Sequence, residues 1–261
     1  MLPRPTGRIP VRRPVRAKGR RAARRLRGTA PDPRHLLPAQ AIDNDPAAIL
    51  AATTEIAAVV LDDGVAFDIG TATARQIRDE DLYQGVRVSM TARLSSARPA
   101  LHVDISVGDP IVPAPRMVQL PRVLGGELTV RGYPLSMVHA EKIVTAISRG
   151  TTSTRWRDFA DMYQLARHHG IEGTELSRSI RRVAEHRATR LAPLGQVLAD
   201  YGAIGQQRWE AWRRRQHLDD RLPAQFGDVV VAVAEFADPA ITGTAAGQHW
   251  NPATSTWSRR S

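Results

Sequence analysis

The stretch YPLSMVHAEKIVTAISRG (133–150), followed directly by TTSTRWRDFADMYQL (151–165), decides how this chain is read. Of the 37 basic residues only two are lysines, Lys18 and Lys142, and Lys142 stands in the middle of this stretch. A lysine in an arginine-rich background points to a position that wants a compact, strongly hydrated ammonium rather than a planar guanidinium. Helical spacing gathers Met137, Ala140, Val144 and Ile147 on one side and leaves Lys142 nearly opposite, projecting from the polar side, with Ser136 placed to cap the helix. In the next helical run Trp156, Phe159, Ala160 and Tyr163 share a face, while Asp158 and Asp161, spaced i and i+3, share the other. The stretch predicts a cation on one helix, a short arginine-flanked link, and two carboxylates on the next helix. Two ordinary amphipathic helices with charged outer faces would carry the same pattern.

Working upstream, Val65 to Ile69, Val86 to Leu94 and Leu101 to Val107 alternate as strands do. Leu101, Val103, Ile105 and Val107 share one face, and His102, Asp104 and Ser106 the other. Asp104 then reads in two ways, as a Mg²⁺ ligand or as part of a solvated strand face. The proline-rich run from Gly108 to Leu124 predicts a surface loop, and Glu127 to Arg131 a last strand. Asp43-Asn44-Asp45-Pro46 reads as a helix start, an Asp cap with proline in the first turn, with Ile49, Ala52, Ile56, Val59 and Val60 turned inward. Asp43 and Asp45 also have the spacing of a metal-binding D-x-D pair.

Downstream the pattern is helical. Thr174 is placed to cap a helix carrying Leu176, Ile180, Val183 and Ala184. Trp209 and Trp212 lie on one face of another, with Arg213, Arg214 and Arg215 behind them; the cluster suits either base stacking with phosphate contacts or a core. Phe226, Val229, Val230, Val233 and Phe236 define a third helix, closed by Pro239, and the segment from Gly243, with Trp250 and Trp257, reads as loop.

The charge of +11 is not spread evenly. Residues 1–28 hold eleven basic residues and no acid, which leaves 26 basic against 26 acidic residues over 29–261. The basicity is a leader, read here as disordered through residue 40, and suited to non-specific binding of phosphate backbones. The absence of cysteine excludes a disulfide framework and a thiolate-ligated metal, and fits a cytoplasmic protein. No run is apolar and long enough to span a membrane.

Asp104-Ile105 with Gly108-Asp109, then YP and AEK (Ala140-Glu141-Lys142), then RWRDFADMYQL, in this order, resemble the AbiEii/AbiGii-type nucleotidyltransferase toxins over roughly residues 41–240. The resemblance implies an α+β chain: a polymerase-β-like core with a mixed sheet over 41–133, a helical domain over 134–240, and a tail over 241–261. It implies transfer of a nucleotide from an NTP to an RNA acceptor, with tRNA 3′ ends as the acceptor in characterised relatives, Mg²⁺ as cofactor and a cognate antitoxin as partner. On that template Lys142, Asp158 and Asp104 are the catalytic candidates. Lys142, Arg155, Arg157 and Asp161 would meet the nucleotide, Asp104, Asp43 and Asp45 the metal, and Arg213, Arg214 and Arg215 the RNA. The family's first motif, a Gly-Ser turn before a strand ending in D-x-D, has no counterpart in RLRGTAPDPRHLLPAQAIDNDP (25–46). Residues 1–40 are therefore expected to come from a shifted frame or a misplaced start, with the first motif lost, and a transferase active in this form and one inactive in it both stay open. Two alternatives stand beside the transferase: a degenerate relative that binds tRNA without catalysis, and a metal-dependent nuclease using Asp104, Asp158 and Asp161.

Overall fold

A computed structural model describes residues 45–79, 83–106, 110–122 and 125–259, all within one unit spanning residues 42–261. Its first helix, α1 (Pro46–Ala57), starts where the sequence places it. Asp45 has extended backbone angles, and its carboxylate accepts the amides of Ala47 (3.3 Å) and Ala48 (3.0 Å). These are donors that a helix start otherwise leaves unpaired.

Three strands follow as an antiparallel meander, β1 (Val65–Asp79), β2 (Tyr83–Leu94) and β3 (Ala100–Ser106), in the order β1-β2-β3. The alternation in β2 does what its period requires: Val86, Val88, Met90 and Ala92 are buried and join Ile49 of α1 in a small core. Only Ile49 of the expected inward face of α1 is buried. Ile56 in its last turn is exposed, and so are Val59 and Val60, which lie beyond the helix end at Ala57 and outside its periodicity. The region expected to be loop contains a strand, β4 (Arg116–Pro121), paired antiparallel with β5 (Glu127–Gly132). Proline closes β4 at Pro121 rather than interrupting it, and a hairpin edge tolerates the missing amide donor. All pairings among the described residues are antiparallel, where the resemblance implies a mixed sheet.

The larger core is helical: α2 (Leu135–Arg149), a single 3₁₀ turn (Gly150–Thr152), α3 (Trp156–His168), α4 (Gly173–His186), a short α5 (Leu194–Val197), α6 (Tyr201–Arg215) and α7 (Phe226–Thr242). At its centre Phe226 packs edge-on against Trp156, Phe159 and Tyr201 and stacks on Trp209 at 5.0 Å. Fully burying such aromatic side chains stabilises by roughly 1.5–3 kcal/mol each. α6 reaches α7 closely because it carries glycine at the crossing. A Cβ on Gly202 would lie 2.7 Å from the Gly227 backbone, and one on Gly205 2.9 Å from the Phe226 ring.

Three caps and ends differ from the sequence expectation. Ser136 is buried inside α2 and donates to Glu175 Oε1 (2.7 Å), so it ties α2 to α4 instead of capping. Glu172, not Thr174, caps α4, accepting the amides of Thr174 (3.0 Å) and Glu175 (2.6 Å). Pro239 lies within α7, which runs on to Thr242 and stops at left-handed Gly243 (φ 86°). The lost helix bond is offset by burial of Phe236, Ala237 and Ala240 around it. Beyond it, β6 (His249–Asn251) and β7 (Thr256–Ser258) form a hairpin where a loop was expected. Trp250 is buried and donates to the Ala166 carbonyl (2.7 Å), and Trp257 donates to that of Phe236 (3.0 Å). No helix among the described residues is long and apolar enough to cross a membrane.

Candidate functional site

α2 and α3 bring together the three charged residues singled out at 133–165. α2 buries Met137, Ala140, Ile143, Val144 and Ile147, and α3 buries Trp156, Phe159, Ala160 and Met162, which brings their polar sides into contact. Lys142 Nζ lies 2.6 Å from Asp158 Oδ1 and 2.9 Å from Asp161 Oδ2. The lysine does not project freely, as a helical wheel suggests; its side chain is 19% exposed, beneath the two carboxylates. Asp158 is also mostly covered, at 16%, and Arg155 Nη1 approaches its other oxygen at 3.5 Å. Asp161 is nearly half exposed, at 44%.

Burial works against the Lys142 ammonium, but the charges and hydrogen bonds of Asp158 and Asp161 outweigh it and hold the group above the ordinary lysine value. An ammonium has three donors, and two are spent on these carboxylates. Lys142, Asp158 and Arg155 line a cavity of 300 Å³ with Val138, Glu141 and Thr145. One turn before Lys142, His139 is wholly buried against Phe236 (4.6 Å), and burial followed by the nearby Lys142 charge pushes its imidazole down to about 3. It is a neutral core residue, not a proton acceptor for this cavity.

The link between the two helices is itself held. Tyr201, buried on α6, donates its hydroxyl to the Ser153 carbonyl, and burial pushes its phenol up to about 12. Ser153 Oγ in turn accepts the Arg155 amide (3.3 Å). One residue outside the sequence expectation belongs here. Arg187, just past α4, donates from Nη1 to Thr145 Oγ1 (3.1 Å) and the Glu141 carbonyl (3.3 Å), bracing the cavity wall; burial lowers its guanidinium to about 10. Its sequence neighbours Arg178, Arg181, Arg182 and Arg190 are exposed, so nothing in the local pattern marks Arg187 as the covered one.

The other predicted residues lie elsewhere. Asp104 faces Arg87 across the β2–β3 ladder in a two-pronged ion pair (2.5 and 2.6 Å), which holds its carboxyl below the usual range. Both oxygens of Asp45 are taken by the α1 cap, and Asp43 lies outside the described residues. Among the described residues no group of three or more histidines or acids is placed to hold a metal ion. The described donors therefore do not fit Mg²⁺ as a built site, and no step is assigned to it. Arg157 is exposed. Arg213 is mostly covered, donating to the Leu222 carbonyl (3.0 Å) near Asp219 (3.4 Å), while Arg214 and Arg215 are exposed. Trp209 is fully buried, donates to the Pro223 carbonyl and stacks on Trp212 at 5.4 Å, so it serves the core and not a nucleobase. A larger cleft of 740 Å³ beside the β4–β5 hairpin, spanned by the Arg116–Glu175 pair (2.6 Å), contains none of the predicted site residues.

No curated protein and no solved structure matches the chain. A family model does, the nucleotidyl transferase AbiEii toxin of type IV toxin–antitoxin systems, over residues 35–232. That span holds the Lys142, Asp158 and Asp161 cluster and most of the helical core. The match extends over well over half of the sequence, and on it the chain belongs to the AbiEii nucleotidyl transferase toxin family.

Proposed function

We propose that the chain moves a nucleotide from an NTP to an RNA acceptor, with the 3′ end of tRNA as that acceptor, and that residues 41–133 form a polymerase-β-like half serving the Lys142 pocket. The observation that carries this reading is the Lys142 ammonium, kept charged by Asp158 and Asp161 on the wall of a small cavity that also holds Arg155. Phosphoryl and nucleotidyl transfer depend on positioning and on preorganised positive charge at the phosphates. The third N–H of Lys142 is the donor for a triphosphate oxygen. Asp158 fixes where that donor sits, Asp161 is the more exposed and displaceable partner, and Arg155 adds a planar cation suited to phosphate oxygens.

The test is incorporation of label. The native chain and a Lys142→Ala variant are incubated with total tRNA, Mg²⁺ and each labelled NTP in turn. Label on RNA from the native chain and not from the variant is the expected result; equal label from both would sink the assignment of Lys142.

A second reading, an RNA-binding relative without catalysis, is favoured by one observation: Asp104 is committed to Arg87 and Asp45 to backbone amides. No label from either chain, with circular dichroism unchanged, selects it.

A further inference from the structure

We propose that the outward face of α4 and the turn after it, Arg178, Arg181, Arg182 and Arg190, is the surface along which the phosphodiester backbone of the RNA acceptor lies. The proposal rests on the transferase reading of the Lys142 pocket. α4 buries Leu176, Ile180, Val183 and Ala184 and turns Arg178, Arg181 and Arg182 outward, with Arg181 and Arg182 about 4.5 and 6 Å beyond Arg178 along the axis. Arg190 follows, and with Arg181, Thr189, Leu191 and a single acid, Glu185, it lines a shallow groove of 450 Å³.

This charge is not balanced locally. Among the described residues Arg178, Arg181 and Arg190 have no acidic partner. Arg182 has only Glu185 at 3.5 Å, with both side chains more than half exposed, a pairing of little strength. Glu175, the other acid of the helix, is taken by Arg116 and Ser136. Residues 29–261 carry equal numbers of basic and acidic side chains, so an unpaired arginine row is a local concentration and not a share of a general excess. The face carries no exposed large apolar side chain. That composition suits a charged polymer and lacks both the apolar anchors of a protein interface and the apolar side of a membrane-surface helix. The row also leads to the pocket: Arg187, between Arg182 and Arg190, bonds Thr145 and Glu141, two residues of the Lys142 cavity wall.

The experiment is a salt titration of binding, by fluorescence anisotropy, of a 5′-labelled transcribed tRNA to the full chain and to an R178Q/R181Q/R190Q variant. The basic leader contributes equally to both. Losing three phosphate contacts makes the slope of log K against log salt shallower by about 2, so the affinity lost between about 50 and 200 mM salt shrinks about 16-fold. An unchanged slope would overturn the proposal. So would an R214Q/R215Q variant showing the larger change, or a triple variant that loses only binding to phosphatidylserine vesicles. Circular dichroism melting checks that the three exposed substitutions leave the fold intact. The slope change combined with no nucleotide transfer by the native chain would uphold this surface and refute the transferase reading alone.

Discussion

Replacing Lys142 by methionine keeps an unbranched side chain one atom shorter and removes its charge, leaving two carboxylates facing an apolar terminus. Asp158 is the partner that suffers: its side chain is 16% exposed and it loses a charge-assisted bond of 2.6 Å. Bonds of that kind contribute about 1.5–3 kcal/mol. Asp161 at 2.9 Å is 44% exposed, and water replaces much of what it loses, leaving about 0–1 kcal/mol. The single variant should therefore unfold about 2–3 kcal/mol more easily at neutral pH. Urea denaturation of Lys142→Met, Asp158→Asn, Asp161→Asn and the two double variants separates these contributions. The coupling energy of Lys142 with Asp158 should exceed that with Asp161. The pH dependence has a definite sign. The folded lysine is held above its ordinary value, so its contribution is complete below about 10.4, the unfolded value, and fades as pH rises through the folded one. The difference in stability between native and Lys142→Met should be flat from neutral pH to about 9 and narrow above about 10.4. A coupling with Asp158 no larger than that with Asp161, or a difference that narrows already near neutral pH, would refute the reasoning.

Lys142→Arg should leave melting nearly unchanged yet cut nucleotide transfer by about 100-fold or more, the scale on which preorganised charge acts, because a planar fork does not reproduce a point charge in this small cavity; label incorporation checks it. Tyr201→Phe strands the Ser153 carbonyl beside a buried ring and should cost about 1–3 kcal/mol, seen as a lower urea midpoint. Trp250→Ala empties a site that is 3% exposed and should destabilise by about 3–5 kcal/mol in the same measurement. Asp104 should titrate below the ordinary aspartate range by NMR and move back up in Arg87→Gln; what the pair adds to stability is present above about pH 4 and lost as pH falls further.

The helices at 133–165 were legible because burial follows a 3.6-residue period there, and the same period in Leu176, Ile180, Val183 and Ala184 located α4. The meeting of Lys142 with Asp158 and Asp161 was only half legible. Facing directions can be read from a wheel, but the covering of a lysine by a neighbouring helix cannot. Misreadings cluster where a residue's partner is distant in sequence. Ser136 looks like a cap until Glu175, 39 residues on, accepts its hydroxyl. Trp250 looks like a tail residue until Ala166, 84 residues back, accepts its indole. β4 was hidden by prolines that flank it or close its edge, and Arg187 by exposed arginines on either side of it. The Asp43 question falls outside the described residues.

The anchoring of Trp250 to Ala166 sets an order on biosynthesis. α3, which carries Asp158 and Asp161, is completed at His168, yet the indole that seals its last turn is added only 84 residues after the carbonyl it binds. A chain emerging from its N-terminus passes through that interval with the carboxylate helix unsealed on one side. The pocket residues themselves are made early, between 138 and 158, so the hairpin at 249–258 sets when the far end of α3 is closed, not when the pocket residues exist.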